Sequence, residues 1–241
     1  MGGRIIFLLI ISFATFPAFS APPAIVYRAA LESPDVIKQQ GGFLARGMDQ
    51  TRPNQPPPDT SLFNHANGAE TGLSNHSSGY VSTTTSFNIA HYWVNNMLSG
   101  RGYIYHIHPT GNLIDVNASL LRYSPHPGEN EYAALGTIHW SQIIGWQQVS
   151  YGVAGAFVSN RDYNRSLYSS AHAGEGAPYL AGFPPDHPAW GQAPWVDFST
   201  CGGSAPRTLA QENCSPLDPA YSAASKYFRQ HDPSVMFIAT D

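Results

Sequence analysis

Residues 79–97 are GYVSTTTSFNIAHYWVNNM, a β-type run that passes directly into a helical pattern. Gly79 to Ser82 predicts part of a strand, and Ser86 is suited to cap the helix that follows. The apolar residues of that helix recur at helical spacing on one face, and they are Ala90, Trp93, Val94 and Met97. A strand followed so closely by an amphipathic helix predicts an α+β domain.

Segments on both sides extend this mixed pattern. We predict strands at residues 24–27, 102–108, 132–144 and 146–149, a helix that begins at Ser33-Pro34-Asp35 and ends at Gly41-Gly42, and a last helix after Pro216. The stretch from residue 46 to residue 75 holds four prolines and little apolar periodicity, so we expect a long surface loop there. Between residue 160 and the last helix the apolar residues show no regular spacing. This absence of periodicity predicts a loop-rich carboxyl-terminal part.

The composition limits the kind of protein. The chain has 241 residues, of which 42% are apolar and 12% charged, and its formal net charge is −4. This length fits one domain with an appendage. The low charge excludes an acidic disordered chain and a basic nucleic-acid binder, so no nucleic-acid partner is expected. The 22 glycines and 20 prolines favour many turns over a helical bundle.

The amino-terminal segment predicts export. Arg4 precedes an apolar run from Ile5 to Ile11, and Ala18-Phe19-Ser20 fits a small-x-small cleavage pattern. Residues 1–20 are therefore predicted to be a secretory signal peptide. The apolar run is too short to span a bilayer and no other segment approaches that length, so no integral membrane segment is expected.

The cysteine count agrees with a secreted protein. Cys201 and Cys214 are the only two cysteines of the chain. An even pair so close in sequence predicts one disulfide in an oxidising compartment. The alternative is two free buried thiols.

Three isolated features are compatible with chemistry, and each also has an ordinary structural explanation. Glu129 and Glu131 are two residues apart, which on a strand places both carboxylates on one face. A solvated turn is the alternative for this pair. Ser82 lies in a run of polar β-formers at a strand end, where such residues are usually structural. Arg28 follows a strand-like run, where a lone arginine is more often part of a surface ion pair.

The histidines raise the question of a metal site. His106 and His108 alternate on a predicted strand, and His126 follows at some distance, so a zinc site is conceivable. No HExxH pattern is present, and no third ligand has a spacing that fixes the geometry. We therefore expect no metal.

These features occur within a series of short motifs. In chain order the motifs are Tyr27-Arg28-Ala29, Gly41-Gly42-Phe43-Leu44-Ala45-Arg46-Gly47, Asn64-His65-Ala66, Gly79-Tyr80-Val81-Ser82-Thr83, Tyr123-Ser124-Pro125-His126-Pro127-x-Glu129-x-Glu131 and Leu180-Ala181-Gly182-Phe183-Pro184-Pro185. In this order they resemble the A-subunit family of cholera toxin and heat-labile enterotoxin, which are arginine-specific mono-ADP-ribosyltransferase toxins. The resemblance covers roughly residues 24 to 214.

The resemblance implies an ADP-ribosyltransferase fold in which two small antiparallel sheets form a cleft for NAD. It also implies an enzyme of the Arg–Ser–Glu class that transfers ADP-ribose from NAD to an arginine of a target protein, so that NAD is a co-substrate. The residues that it assigns to catalysis are Glu131, Glu129 and Ser82. The residues that it assigns to NAD binding are Arg28, His65, Ser82, Tyr27 and Ala29.

The chemistry of this transfer explains the residue types. Breaking the bond between nicotinamide and ribose develops positive charge on the ribose, so Glu131 is expected to bind a ribose hydroxyl and stabilise the transition state. A protonated guanidinium is a poor nucleophile, so Glu129 is expected to orient it and accept a proton. Two departures from the family pattern, Ala30 for an aspartate and Glu32 for an arginine, are expected to alter hydrogen bonding around NAD.

The carboxyl-terminal part bears on delivery. In the family, the counterpart of Arg207 lies in a protease-sensitive loop closed by a disulfide, and Cys201 with Cys214 preserves that arrangement. The organisation implied for this chain is a signal peptide at 1–20, an ADP-ribosyltransferase domain at 21–200, the disulfide-closed loop at 201–214 and a short A2-like tail at 215–241.

The resemblance also implies partners. We expect a secreted toxin that acts inside a host cell, with an arginine of a heterotrimeric G-protein α subunit as the acceptor. A pentameric B subunit or another delivery partner, and a host ADP-ribosylation-factor GTPase as activator, are further expectations. The alternative function is a secreted NAD glycohydrolase, or an inactive NAD- or carbohydrate-binding module of the same fold.

Overall fold

The computed structural model describes residues 21–49, 51, 56–68, 77–202 and 214–231. The predicted signal peptide, the predicted cleavage site Arg207 and the last ten residues lie outside these ranges. Within the described ranges, no helix is long and apolar enough to cross a membrane.

Two antiparallel sheets of unequal size form the framework. The strands of the described residues are β1 (Val26–Ala30), β2 (Gly42–Leu44), β3 (Tyr80–Thr84), β4 (Gly102–Ile107), β5 (Leu113–Asp115), β6 (Glu131–Leu135), β7 (Thr137–His139), β8 (Ile143–Ser150) and β9 (Val153–Ser159). The larger sheet has the order β5-β6-β3-β1-β4-β8-β9, and β2 pairs with β7 in the smaller one. The predicted α+β class with antiparallel sheets is confirmed.

The middle of the larger sheet brings the motif-bearing segments side by side. β3 pairs with β1 on one side and with β6 on the other. Arg28 of β1, Ser82 of β3 and Glu131 of β6 therefore lie on three neighbouring strands, although they are far apart in sequence. The next two residues of the polar run brace this region, since the hydroxyl of Thr83 donates to Tyr132 O at 2.6 Å and that of Thr84 to Glu129 O at 2.6 Å.

The helices are short and lie around the sheets. They are α1 (Pro34–Gln39), α2 (Leu62–Asn67), α3 (Phe87–Met97), α4 (Val116–Leu120), α5 (Arg165–Tyr168) and α6 (Ala220–His231). The hydroxyl of Ser86 accepts a hydrogen bond from Ile89 N–H and caps α3 as the sequence predicts. Ala90, Trp93 and Val94 are buried, but the prediction for Met97 is wrong, because its side chain is 62% exposed at the last turn.

The expectation of one long loop over residues 46–75 is also wrong. A 3-10 turn occupies Arg46–Met48, and α2 follows at Leu62–Asn67. α2 is six residues long and buries only Leu62 and Ala66, so it carries a single i, i+4 apolar pair. That is too little for a periodicity argument, and the capping signal at Ser61 was the remaining clue.

The second half of the chain differs from the predicted strands in detail. The run predicted as one strand at 132–144 is divided into β6, β7 and a 3-10 turn at Trp140–Gln142 before β8 begins. The edge strand β9 was not predicted, because most of its residues are exposed and it lacks the alternation of a half-buried strand. Beyond it lie α5 and three 3-10 turns, which agrees with a loop-rich part.

The carboxyl-terminal helix belongs to the same core as the body. Ala223, Ala224 and Tyr227 of α6 are buried in the cluster that also contains Leu62 and Trp190. The hydroxyl of Tyr227 donates to Gly111 O at 2.7 Å. The predicted disulfide between Cys201 and Cys214 is present, with a Cα–Cα distance of 5.4 Å, and ties the start of this segment to the body.

Candidate active site

One large cavity lies where β1, β3, α2 and α3 approach each other, and its volume is about 640 Å³. This size is within the range of small-molecule and cofactor sites. The predicted site residues that line it are Arg28, Ala29, His65, Ser82, Glu129 and Glu131. The structure thus brings together predicted site residues from four separate motifs.

His65 reaches the cavity because α2 is held against the carboxyl-terminal part. The hydroxyl of Ser61, at the helix start, donates to Gly182 O at 2.8 Å, and Phe63 N–H donates to Ala181 O at 2.9 Å. Gly182 has a φ of +61°, and a Cβ there would lie 2.7 Å from Ser61 Cα. The glycine therefore permits a contact that any larger residue would prevent.

Glu131 sits at the floor of the cavity in a connected polar cluster. His65 Nε2 lies 3.1 Å from Glu131 Oε1 and 3.1 Å from Ser82 Oγ. The other ring nitrogen, Nδ1, lies 2.7 Å from the hydroxyl of Ser78. Glu131 is 9% exposed, so its carboxylate is fixed by these neighbours and not by water.

The cluster keeps Glu131 ionised. Burial by itself would raise the pKa of this carboxyl, since it disfavours the charged form. The charge and hydrogen bond of His65, helped by the hydroxyl of Ser82, outweigh burial and leave the pKa of Glu131 below its ordinary value. The floor of the cavity therefore presents an ionised carboxylate at neutral pH.

Glu129 reaches the same cavity by a different route from the one that the sequence suggested. The two glutamates are not on one strand, because Glu129 ends a 3-10 turn at Pro127–Glu129 and Glu131 begins β6. Asn130 between them has left-handed backbone angles, φ 48° and ψ 48°. Asparagine tolerates this conformation better than most residues, and it is the kink at Asn130 that turns both carboxylates toward one space.

The surroundings of Glu129 differ from those of Glu131. Glu129 is half-buried at the rim, and the indole Nε1–H of Trp93 donates to its Oε1 at 3.3 Å. Partial burial raises the pKa of Glu129, the Trp93 hydrogen bond lowers it in part, and the nearby charge of Glu131 raises it further. The net pKa of Glu129 is above its ordinary value, opposite in direction to that of Glu131.

Arg28 forms the wall next to Ser82. Its Nη1 donates to Ser82 O at 2.8 Å, and its guanidinium carbon lies 4.9 Å from the centre of the Phe43 ring. Burial lowers the pKa of Arg28 to about 10, which leaves it charged at neutral pH. Among the described residues, its buried Nε has no hydrogen-bond partner. A charged guanidinium at a cavity wall suits an anionic ligand such as a dinucleotide phosphate.

The two neighbours of Arg28, Tyr27 and Ala29, differ in their relation to the cavity. Ala29 lines the cavity, whereas the ring of Tyr27 packs on the opposite face between Phe87 and His106, at centroid distances of 5.6 and 4.9 Å. Side chains of consecutive strand residues point to opposite faces, so Tyr27 and Arg28 do not serve the same space. The side chain of Tyr27 is therefore a packing residue in this structure.

Among the cavity residues that were not predicted as site residues, three have side chains that bear on its chemistry. Ser78, which holds His65, lies just before the strand motif and carried no signal of its own. Arg46 lies within the quoted glycine-rich motif but received no role, although it lines the cavity near Arg28. Trp93 was interpreted as an ordinary core residue of α3, and a donor so far from Glu129 in sequence gives no local pattern.

The histidines considered for zinc have other contacts. His106 Nε2 lies 3.0 Å from the amide oxygen of Gln147, and His108 Nδ1 lies 2.8 Å from the hydroxyl of Tyr163. In the described part of the chain, no group of three or more potential ligand side chains is arranged to hold a metal ion.

Comparison with known proteins follows the same motifs. The sequence profile of the family described as heat-labile enterotoxin alpha chain matches residues 4–231. The chain is 40% identical over 237 residues to the heat-labile enterotoxin IIB A chain of Escherichia coli, covering 96% of this chain and 87% of that protein. It is 44% identical over 214 residues to the NAD(+)–arginine ADP-ribosyltransferase Chelt of Vibrio cholerae, covering 84% of this chain and 35% of that protein.

Solved structures agree. A mutant of E. coli heat-labile enterotoxin superimposes with a TM-score of 0.62 at 39% identity, covering 71% of this chain and 95% of that one. The fold is therefore that of the enterotoxin ADP-ribosyltransferases, which is the enzyme class that the motifs predicted. The chain belongs to the heat-labile enterotoxin alpha chain family.

Proposed function

We propose that this chain is a toxin enzyme that transfers ADP-ribose from NAD to an arginine side chain of a host protein and releases nicotinamide. The observation that carries the proposal is the pair of carboxylates, Glu131 and Glu129, which face one cavity and have pKa values shifted in opposite directions. Two carboxyl groups held in different environments are suited to two different roles in one reaction. Arg46 and Arg28 supply positive charge on the same wall.

Glu131 acts on the donor. Loss of nicotinamide takes the bonding electrons with the leaving group and leaves an oxocarbenium-like ribose. A carboxylate fixed against the ribose stabilises this positive charge without reorganising, provided that it stays ionised. His65 and Ser82 fulfil that condition, because they hold the carboxylate in place and favour its charged form.

Glu129 acts on the acceptor. A guanidinium nitrogen attacks the ribose carbon that nicotinamide leaves, and the new carbon–nitrogen bond requires one proton to be lost from the guanidinium. Glu129 at the rim accepts this proton, and its raised pKa makes it a better base than an ordinary glutamate. Its position at the half-buried mouth leaves it accessible to a side chain of another protein.

Arg28 orients the NAD. Its Nη1 is already committed to Ser82 O, so the guanidinium braces β3 while the residue lines the cavity. Ala29 follows it on β1, and its side chain packs with Tyr27 against the cluster of Ala90 and Val94. Arg46, on the 3-10 turn Arg46–Met48, adds a second positive charge to this wall. The two guanidinium groups together suit the pyrophosphate of NAD.

The wider setting rests on family membership. We propose that residues 1–20 direct secretion, that residues 21–200 form the enzyme and that the segment after Cys214 is an A2-like tail, with action inside a host cell. A heterotrimeric G-protein α subunit as acceptor, a B-subunit pentamer for delivery and an ADP-ribosylation-factor GTPase as activator are the partners that we propose.

The test of the activity uses the purified mature chain, NAD and agmatine as a small guanidinium acceptor. We expect one nicotinamide to be released for each ADP-ribosylagmatine formed. The modified residue of a target protein is then mapped after incubation with host lysate. Release of nicotinamide without any modified acceptor would instead support the alternative of an NAD glycohydrolase. No release at all would support a binding module.

The disulfide offers a test of the proposed two-part organisation. Trypsin-like cleavage at Arg207 should leave one species on a non-reducing gel and two after thiol treatment, because Cys201 and Cys214 are joined. Activity toward agmatine should rise more after cleavage plus reduction than after either step alone, since a tethered segment acts at high effective concentration. Full activity of the uncut, oxidised chain would contradict a regulatory role for this loop.

A further inference from the structure

Trp93 is an unusual tryptophan within this molecule. It is 9% exposed, yet it belongs to none of the three apolar clusters of the core. The other four tryptophans each pack against another aromatic ring, whereas Trp93 makes no aromatic ring contact with a described residue. Trp93 therefore lines the cavity without joining any of these clusters.

The polar contact of Trp93 is with Glu129. Its Nε1–H lies 3.3 Å from Glu129 Oε1 and is the one hydrogen-bond donor that the described residues present to this carboxylate. The backbone of Glu129 is held separately, by the hydroxyl of Thr84 on its carbonyl oxygen. Trp93 thus determines the orientation of the side chain, while Thr84 fixes the position of the turn.

The chemistry of an indole donor suits this task. An indole N–H donates and never accepts, so it occupies one carboxylate oxygen and leaves the second available. The indole is also uncharged, so it orients Glu129 and leaves the negative charge of the carboxylate in place. An arginine or lysine at the same position would neutralise that charge. A guanidinium acceptor needs both a free carboxylate oxygen and a negative charge, because it binds a carboxylate by charge and by directed hydrogen bonds.

We propose that Trp93 is a positioning residue of the acceptor subsite, which ties Glu129 Oε1 to the wall and presents Oε2 to an incoming guanidinium. This inference rests on the proposed role of Glu129 in transfer. The titratable groups that face Glu129 are Glu131 on β6 and His126 at the start of the same turn. α3 contributes the neutral indole, so loss of the indole changes the basicity of Glu129 without adding or removing a charge.

The test compares two identical substitutions. Trp93→Phe keeps an aromatic ring in the cavity wall and removes the N–H. Trp190→Phe is the matched control, because Trp190 also loses an indole hydrogen bond, to Pro184 O at 3.0 Å, but does not line the cavity. Nicotinamide release in water and transfer to agmatine are measured for both variants across pH.

For Trp93→Phe we expect hydrolysis within about twofold of wild type and transfer lower by about tenfold or more, the usual effect of losing a hydrogen bond to a charged group. The acidic limb of transfer should move to higher pH, because this hydrogen bond lowers the pKa of Glu129. Trp190→Phe should change neither the ratio of the activities nor the pH limb. An unchanged ratio and limb in Trp93→Phe, or equal loss of both activities, would overturn the assignment.

A second measurement does not depend on the folding of Trp93→Phe. In wild type, the ¹H–¹⁵N resonance of the Trp93 indole should shift as Glu129 titrates, and in Glu129→Gln this pH dependence should disappear. An indole resonance that does not respond to Glu129 would contradict the bond. If Glu129→Gln retains normal transfer, the proposed function and this inference both fail. If it loses transfer while Trp93→Phe keeps the wild-type ratio, only the role of Trp93 is wrong.

Discussion

The floor and the rim of the cavity hold the same functional group in opposite conditions. At the floor, Glu131 is buried among His65, Ser82 and Ser78 in a continuous polar cluster, and the pKa of its carboxyl lies below the ordinary value. At the rim, Glu129 ends a turn, has one neutral donor beside it, and its pKa lies above the ordinary value.

This difference shows how two similar side chains acquire separate roles. Charge at the floor is stabilised by partners from two other elements, because α2 supplies His65 and β3 supplies Ser82. At the rim, partial burial disfavours charge and creates a base of higher affinity for a proton. The kink at Asn130 allows the two conditions to exist two residues apart.

Removal of charge at the floor should have the largest effect. Glu131→Gln keeps the shape of the side chain but leaves the developing ribose charge without its partner, so both NAD hydrolysis and transfer should fall by at least about 10²–10³-fold. Glu175→Gln is the matched control, because Glu175 is exposed and outside the cavity. Assays of nicotinamide release and agmatine modification on folded protein check this, and near-normal hydrolysis in Glu131→Gln would be inconsistent with a donor-side role.

A smaller effect is expected at the wall that serves both regions. Arg28→Lys keeps the charge but cannot hold Ser82 O and an anionic ligand with parallel donors, so NAD use should weaken by about 1–3 kcal/mol, the range for a charged hydrogen bond. The measurement is kcat/KM for NAD at low NAD concentration. Hydrolysis and transfer should decline together, and wild-type turnover at low NAD would argue against the bracing role.

The smallest effect is a separation in pH dependence. Transfer requires ionised Glu129, whose pKa is raised, whereas hydrolysis requires only ionised Glu131, whose pKa is lowered. As the pH falls, Glu129 takes up its proton first. Transfer should therefore decline at a higher pH than hydrolysis when both are followed in one buffer series. Coincident acidic limbs, or earlier loss of hydrolysis, would contradict the assigned directions.

The strands and α3 could be predicted because their signals are local. Ser86, Ala90 and Val94 lie within nine residues and together predict a capped amphipathic helix. The motif residues then identified the cavity, since six of the seven predicted site residues line it. α2 escaped prediction because its stability comes from contacts with Ala181 and Gly182, more than a hundred residues away.

The glutamate pair shows a different limit of sequence reasoning. Strand alternation correctly suggested that Glu129 and Glu131 share one space, but the physical basis is a turn and a left-handed Asn130. A pattern of period two fits both geometries, so the sequence alone does not separate them. Trp93 was hidden for a related reason, because helical spacing explains a buried aromatic residue whether or not its indole holds a catalytic carboxylate.

The division of labour between floor and rim is tested most directly by the products of Glu129→Gln. With NAD and saturating agmatine, wild type should direct ADP-ribose mainly to the guanidinium. In Glu129→Gln the floor is intact, so nicotinamide release should continue while the product changes from ADP-ribosylagmatine to free ADP-ribose. If Glu129→Gln instead loses nicotinamide release and transfer in equal proportion, with its fold intact, the two carboxylates do not have separate roles and the account is wrong.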